Sequence, residues 1–402
     1  MNGRSLLLLA LASTCACATS HAARLAERPC GEAPCAPGPA APATGPAGPA
    51  DLTYPPEQVE ASRLDLELSG KNDEELFVIG QAAFAAGELE RAATAFARLA
   101  DLFPRSRHEA TALYDAGLAY ARQERWRLAL ERFRTLARKY EGPDATEAVF
   151  KSAECQYRLE DREAALALLD GLARRADLPP AEHIRALTQR GIVELELGRT
   201  EVAEATLRLA VSAWKQGSEA ERLDDYYPAQ AQFYLGEVYR GHFQAVRLDP
   251  TRPGEAGEAA LARELQTKAE LLLSAQGHYL RAIRMGNVDW AVAAGFRIGE
   301  LYDALHAELT GAPLPPGLDE EEAEAYRSEL KKKVRVLVTK AITIYEQTLA
   351  VAGRSRVENN RFVAETQASL DRMKRTLAES PGDEPAPAPA PAPPRAAAPD
   401  RG

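Results

Sequence analysis

The stretch Asp73–Pro104, DEELFVIGQAAFAAGELERAATAFARLADLFP, decides the fold. Its small residues and its proline fall at the spacing of a helix–turn–helix unit of roughly 34 residues. With Gly80 at position eight, Ala83 stands at eleven, Gly87 at fifteen, Ala92 at twenty, Phe96 at twenty-four and Pro104 at thirty-two. Gly80 and Ala92 let the first helix (A) and the second (B) meet backbone to backbone. Phe96 fills the gap that follows, Gly87 permits the tight turn and Pro104 stops helix B. One such hairpin cannot bury its apolar face alone, so it demands neighbours.

The neighbours are present. A second unit places Leu113, Gly117, Tyr120, Trp126, Ala129 and Phe133 at positions four, eight, eleven, seventeen, twenty and twenty-four. In a third, degenerate unit Ala153, Ala165 and Leu169 replace Gly, Ala and Phe, and Pro179–Pro180 is read as ending its helix B. A fourth recovers Gly191, Gly198, Ala203 and Leu207. The position-eight residues Gly80, Gly117, Ala153 and Gly191 are separated by 37, 36 and 38 residues, and the excess belongs in the turns between units. A fifth helix A is expected over about 228–240, with Leu235, Gly236 and Tyr239.

Beyond it the regular spacing breaks. GHFQAVRLDPTRPGEAG carries Pro250, Pro253, Gly254 and Gly257, so a loop insertion is expected at 246–257, followed by a long helix from Glu258 to Met285. VDWAVAAGFRIGELYDALHAEL (Val288–Leu309) repeats the element as Ile298, Gly299 and Tyr302. After GAPLPPG a helix is expected from Asp319 to Ala352, with acidic residues at its start and Arg354 just past its end, as the helix dipole favours. A last helix from Val357 to Glu379 would close the stack. The regions expected are thus a signal at 1–16, a Pro/Ala-rich tether at 17–60, repeats at 61–245, the insertion, divergent repeat-like helices at 258–380 and a Pro/Ala tail at 381–402. The fold class is all-α, a helix–turn–helix solenoid with long atypical C-terminal helices and disordered ends.

Composition agrees. The chain is 46% hydrophobic and 27% charged with only 6% aromatic residues, which favours helices. The net charge of −10 is spread along mixed-charge helices, against nucleic acid as a partner. Lys331–Lys333, the tight basic run, reads as a solvated face. Arg4 followed by LLLLALA makes an export signal whose apolar run is too short to span a bilayer. Two endings compete. Cys17, preceded by Ala16, resembles a relaxed lipobox and would take a lipid, whereas Ser20-His21-Ala22 would allow ordinary cleavage after Ala22. A tether of thirty-odd residues from Cys17 gives a mean reach of roughly 30 Å. Cys30 and Cys35 are either a short-loop disulfide or two thiols in a linker. Cys155 reads as a small core residue.

Nothing in the sequence composes a metal site, a phosphate loop or a nucleophile motif, and neither cofactor nor small-molecule substrate is expected. Glu379-Ser380 matches the Glu-Ser pair of lytic transglycosylases but lacks the substrate lobe that should follow. The expectation is a protein that is not an enzyme. The informative surface is the inner face of the A helices, where positions five and twelve carry Phe77, Phe84, Tyr114, Phe150, Tyr157 and Phe233, with Arg122 and Arg158 at thirteen. These residues either belong to the core or line a groove for a hydrophobic or aromatic peptide.

On these motifs, residues 73–240 resemble the tetratricopeptide repeat superfamily. The clamp lysine by which some of its members grip a C-terminal carboxylate is Phe77, Tyr114 and Phe150 here, which disfavours that mode. Signal, tether and C-terminal half, through the run Trp290 to Tyr302, Pro313–Pro316 and Tyr326, resemble envelope tetratricopeptide lipoproteins of myxobacteria, including components of adventurous gliding machinery. The resemblance implies a scaffold that binds other envelope proteins, held to the outer membrane by a lipid. The alternative is a soluble periplasmic chaperone or assembly factor.

Overall fold

The computed structural model describes residues 66–218, 224–252, 254–314, 317–355 and 361–379. Cys17, Cys30, Cys35, the signal, the tether and the tail lie outside them. The described residues form thirteen helices and no strand, and the chain divides into two units, Met1–Tyr140 and Glu141–Gly402.

Unit one holds α1 (Asp73–Ala86), α2 (Leu89–Leu102), α3 (Glu109–Arg122) and α4 (Trp126–Lys139). Helix α1 starts at a capping box. The Asn72 side chain accepts from the Glu75 N–H at 2.9 Å, and the Glu75 carboxylate accepts from the Asn72 N–H at 3.0 Å. It ends at Gly87, whose φ of 79° is the left-handed turn the sequence requires. The equivalent turn after α3 is made by Glu124 at φ 59°, a conformation that costs a residue with a Cβ. Helix α2 is amphipathic and buries Ala92, Ala93, Ala95, Phe96 and Leu99. Between α3 and α4, buried Glu109 takes the Lys139 ammonium and the Tyr140 hydroxyl, the latter at 2.8 Å.

Gly80 faces Phe96 so closely that a Cβ on it would lie 2.6 Å from the ring, and Gly117 faces Phe133 in the same way at 2.6 Å. Position eight reads position twenty-four, the larger side chain of the pair filling the space left by the smaller.

Unit two contains α5 (Pro143–Arg158), α6 (Arg162–Ala173), α7 (Pro180–Glu196), α8 (Thr200–Ser218), α9 (Tyr226–Ala245), α10 (Gly254–Arg284), α11 (Val288–Gly311), α12 (Glu320–Arg354) and α13 (Arg361–Glu379). Successive helices pack on one another as antiparallel hairpins. Pro180 begins α7 rather than ending the helix before it. Its ring presets the first helical turn, where no amide partner is needed.

The C-terminal half departs further from expectation. Helix α9 runs on through Gly241 to Ala245, and α10 already starts at Gly254, so the insertion shrinks to residues 246–253. Buried Lys268 explains the stop. Its ammonium donates to the carbonyls of Phe243 at 3.0 Å and Val246 at 2.8 Å, the free acceptors at the end of α9, and pairs with Glu308 of α11 at 2.6 Å. The last helix begins at Arg361, and residues 356–360 before it lie outside the described ones.

The same packing pair continues with altered spacing. Gly191 faces Leu207, as in unit one, but Gly236 of α9 meets Tyr279 of α10 at 2.4 Å from its notional Cβ, and Gly299 of α11 meets Tyr345 of α12 at 2.3 Å. Phe96, Phe133, Leu169 and Leu207 are each eighth in their helix, whereas Tyr279 and Tyr345 are each twenty-sixth. The added eighteen residues make five turns at about 3.6 residues per turn, so the contact face keeps its phase. Helices α9–α10 and α11–α12 are therefore two long hairpins of one design. Their A helices share Phe233/Phe296, Leu235/Ile298, Gly236/Gly299, Glu237/Glu300 and Tyr239/Tyr302.

Candidate protein-binding faces

In unit one the aromatic residues of α1 and α3 are half-buried. Phe77 touches Phe96 edge-on at 6.1 Å and is stacked by His108 at 4.0 Å, 16° from parallel. The Arg122 guanidinium lies 4.5 Å above the Phe84 ring, while Tyr114 meets Phe133 edge-on at 5.7 Å. Each ring thus backs the core with one edge and faces outward with the other. Gln81, Ala85 and Arg122 are exposed beside them. His108 is held in place by Glu74, 3.0 Å from its Nε2, and Glu74 also accepts from Arg107 at 2.6 Å. These two hydrogen bonds hold the Glu74 carboxyl below the usual carboxylate range.

Unit two treats the corresponding residues differently, and a continuous ladder through Phe150 and Phe233 is not present. Phe150 is 1% exposed because the Arg185 guanidinium covers its ring at 3.9 Å. Arg185 is itself pinned by Glu147 through bonds of 2.5 and 3.2 Å. Phe233 is 4% exposed, enclosed by Tyr234 at 5.4 Å, Tyr279 at 5.5 Å, Trp290 at 5.2 Å and Phe362 at 6.4 Å. Both are core residues. Tyr157 remains half-buried, but its hydroxyl donates to Glu196 at 2.8 Å and Arg162 lies 5.5 Å over its ring. Burial and that carboxylate push the phenol up. Arg158 is exposed. Periodicity placed these side chains on one face, but the covering groups, Arg185 and Trp290, come from later helices that position-by-position reading does not connect.

A charged cluster between the two long hairpins escaped sequence reading altogether. Glu237 accepts from Arg240 at 2.7 Å and from the Tyr279 hydroxyl at 2.5 Å, and it pairs with Arg297 at 3.2 Å, which reaches on to Glu300 at 2.7 Å. Burial raises the Glu237 carboxyl, yet Arg240 and Arg297 more than offset it and leave it lowered. The signal was available as the Gly-Glu dipeptide at positions eight and nine of both A helices. Nearby, His278 stacks on Tyr239 at 5.3 Å with its Nδ1 3.0 Å from Gln232 Oε1, and burial depresses the imidazole to about 4. Cys155 is buried, and burial pushes its thiol up to about 12.

Among the described residues no group of three His, Cys, Asp or Glu is placed to hold a metal, and no helix is long and apolar enough to cross a membrane.

Paired antiparallel helices that recur with a fixed small-against-large contact define a helical-hairpin repeat protein. The sequence comparison names the repeat. Residues 77–126 and 114–179 each match the tetratricopeptide repeat family model, so the chain carries tetratricopeptide repeats there. No curated protein sequence matches the chain. Among solved structures it is similar to the apo form of RapI, at 11% identity over 76% of this chain and 99% of that one, with a TM-score of 0.41. A tetratricopeptide repeat protein from Parabacteroides merdae matches at 15% identity over 75% and 98%, TM-score 0.35. A Rap protein complexed with competence and sporulation factor matches at 15% over 81% and 80%, TM-score 0.34.

Proposed function

We propose that this protein is a non-enzymatic scaffold that binds other proteins of the cell envelope, through the outward face of α1 and α3. The observation that carries the reading is the row of half-buried rings Phe77, Phe84 and Tyr114 with exposed Arg122 beside them. Such edges offer rigid aromatic area at small entropic cost, and a guanidinium at the rim selects a carboxylate. An apolar or aromatic segment carrying one acidic residue suits this face. Phe84→Ala combined with Tyr114→Ala should leave helicity intact and abolish capture of the partner by affinity pull-down. Loss of folding in the double variant would return these residues to the core.

The envelope location rests on Arg4, the LLLLALA run and Cys17, as does attachment to the outer membrane by a lipid. Motility or envelope assembly is the process this reading favours. Labelled palmitate should enter the wild-type protein and be lost on Cys17→Ser together with membrane retention. A wild-type protein that stays unlabelled and soluble would favour the periplasmic chaperone instead, with cleavage after Ala22.

A further inference from the structure

Helix α13 packs against α11 and α12, where a further A helix would follow. Its buried side chains are Leu370 and Met373, which are apolar, and Thr366 and Ser369, which are small and polar.

What α13 covers is an aromatic and acidic face. Phe362 at its start lies 6.4 Å from Phe233 of α9 and 5.7 Å from Phe296 of α11, the matched position-five rings of the two long hairpins. Farther along, Arg372 pairs with Asp303 of α11 at 2.5 Å and Lys374 with Glu346 of α12 at 2.8 Å. The face therefore presents aromatic contact at one end and carboxylates at the other, and α13 meets it with a ring and then two cations. Its contacts follow one helical stripe: an aromatic at i, small residues at i+4 and i+7, aliphatic residues at i+8 and i+11, and a base at i+10.

We propose that the face of α9, α11 and α12 under α13 is a docking site for a basic amphipathic helix of a partner protein, and that α13 occupies it in cis until displaced. The site is separate from the α1–α3 face, so either can fail without the other. A partner helix that carries the same stripe competes with α13 for the face, and the one that binds it more tightly shifts the population toward the displaced state. Its bases take over Asp303 and Glu346.

The test uses the full chain and, as probe, a fluorescent peptide of residues 361–379. Amide exchange of the wild-type protein should show α13 exchanging at least tenfold faster than α11 and α12, since a separately opening helix exchanges through its own equilibrium. A Leu370→Asp/Met373→Asp chain, whose α13 cannot seat, should bind the peptide, while the wild-type chain binds it at least tenfold more weakly. A Phe362→Ala peptide should lose binding, and an Arg372→Glu peptide should weaken about tenfold and recover on an Asp303→Arg chain carrying the same two aspartates. Exchange of α13 at the rate of α12 would overturn the proposal, because the helix would then be an integral part of the stack. So would a double-aspartate chain that keeps α11 and α12 protected yet binds no peptide, or one in which α11 and α12 lose protection.

Discussion

Single residues carry the packing code, and each end of the pair can be tested. Gly117→Ala gains up to about 1 kcal/mol in helix propensity, but its Cβ would lie 2.6 Å from the Phe133 ring, which is wholly buried and has nowhere to go. Overpacking of that kind costs roughly 1–3 kcal/mol, so the net effect is a loss, read as a lower midpoint in urea. Adding Phe133→Leu should recover part of it. The chain already contains that arrangement where Ala153 and Leu169 hold the two positions. Position fifteen gives the opposite sign. Glu124 and Glu160 make left-handed turns at φ 59° and 63° where Gly87 and Gly198 make theirs. Glu124→Gly and Glu160→Gly should each stabilise by about 1 kcal/mol, since a left-handed residue with a Cβ costs roughly 1–2 kcal/mol. Lys268→Met removes the group that satisfies two carbonyls and Glu308. Breaking a fully buried pair costs about 3–5 kcal/mol. Glu308 is 28% exposed in its side chain and can regain water, so about 2–3 kcal/mol is expected by chemical denaturation.

At the scale of elements, the capping boxes at Asn72 and Asp319 start α1 and α12 with the same pair of reciprocal bonds. Asp319→Ala should cost about 0.5–2 kcal/mol and appear as faster amide exchange confined to the first turns of α12. These starts were legible, because Asp319 stands three residues before Glu322 as the cap chemistry demands. The short hairpins were legible for a related reason: each helix–turn–helix closes over residues near in sequence, so the spacing of Gly, Ala and Phe records its own packing. The long hairpins were not. Gly236 finds Tyr279 forty-three residues on rather than sixteen, and no local pattern announces the distance. Gly254 and Gly257 looked like breakers, yet α10 begins at the first and runs on through the second. Among the expected site residues, Phe77, Phe84, Tyr114 and Tyr157 kept an outward edge, whereas Phe150 and Phe233 were lost to Arg185 and Trp290, whose approach depends on the path of the chain.

For the molecule as a whole, the two units should respond to acid in opposite directions. Burial depresses His278 to about 4 from an ordinary 6.5, so the unfolded chain binds more protons between those values. Its contribution to unit two is complete above 6.5 and is lost as the pH falls toward 4, up to about 3 kcal/mol at most. Burial raises Asp115 of unit one to about 6 from 3.8, so there the folded chain holds the extra proton. That contribution is present below 3.8 and lost as the pH rises through 6. Between pH 7 and pH 5, amide protection should fall in residues 226–284 and rise in α3. His278→Gln should flatten the first trend and Asp115→Asn the second. The five added turns of α10 and α12 have an evolutionary corollary. Because each glycine senses one ring on its partner helix, chain inserted ahead of that ring in whole turns goes unseen by the contact. A repeat can therefore lengthen its second helix by roughly 27 Å, at about 1.5 Å per residue, without its hairpin contact having to be reinvented. Grafting the same eighteen residues into α2 ahead of Phe96 would retrace that step.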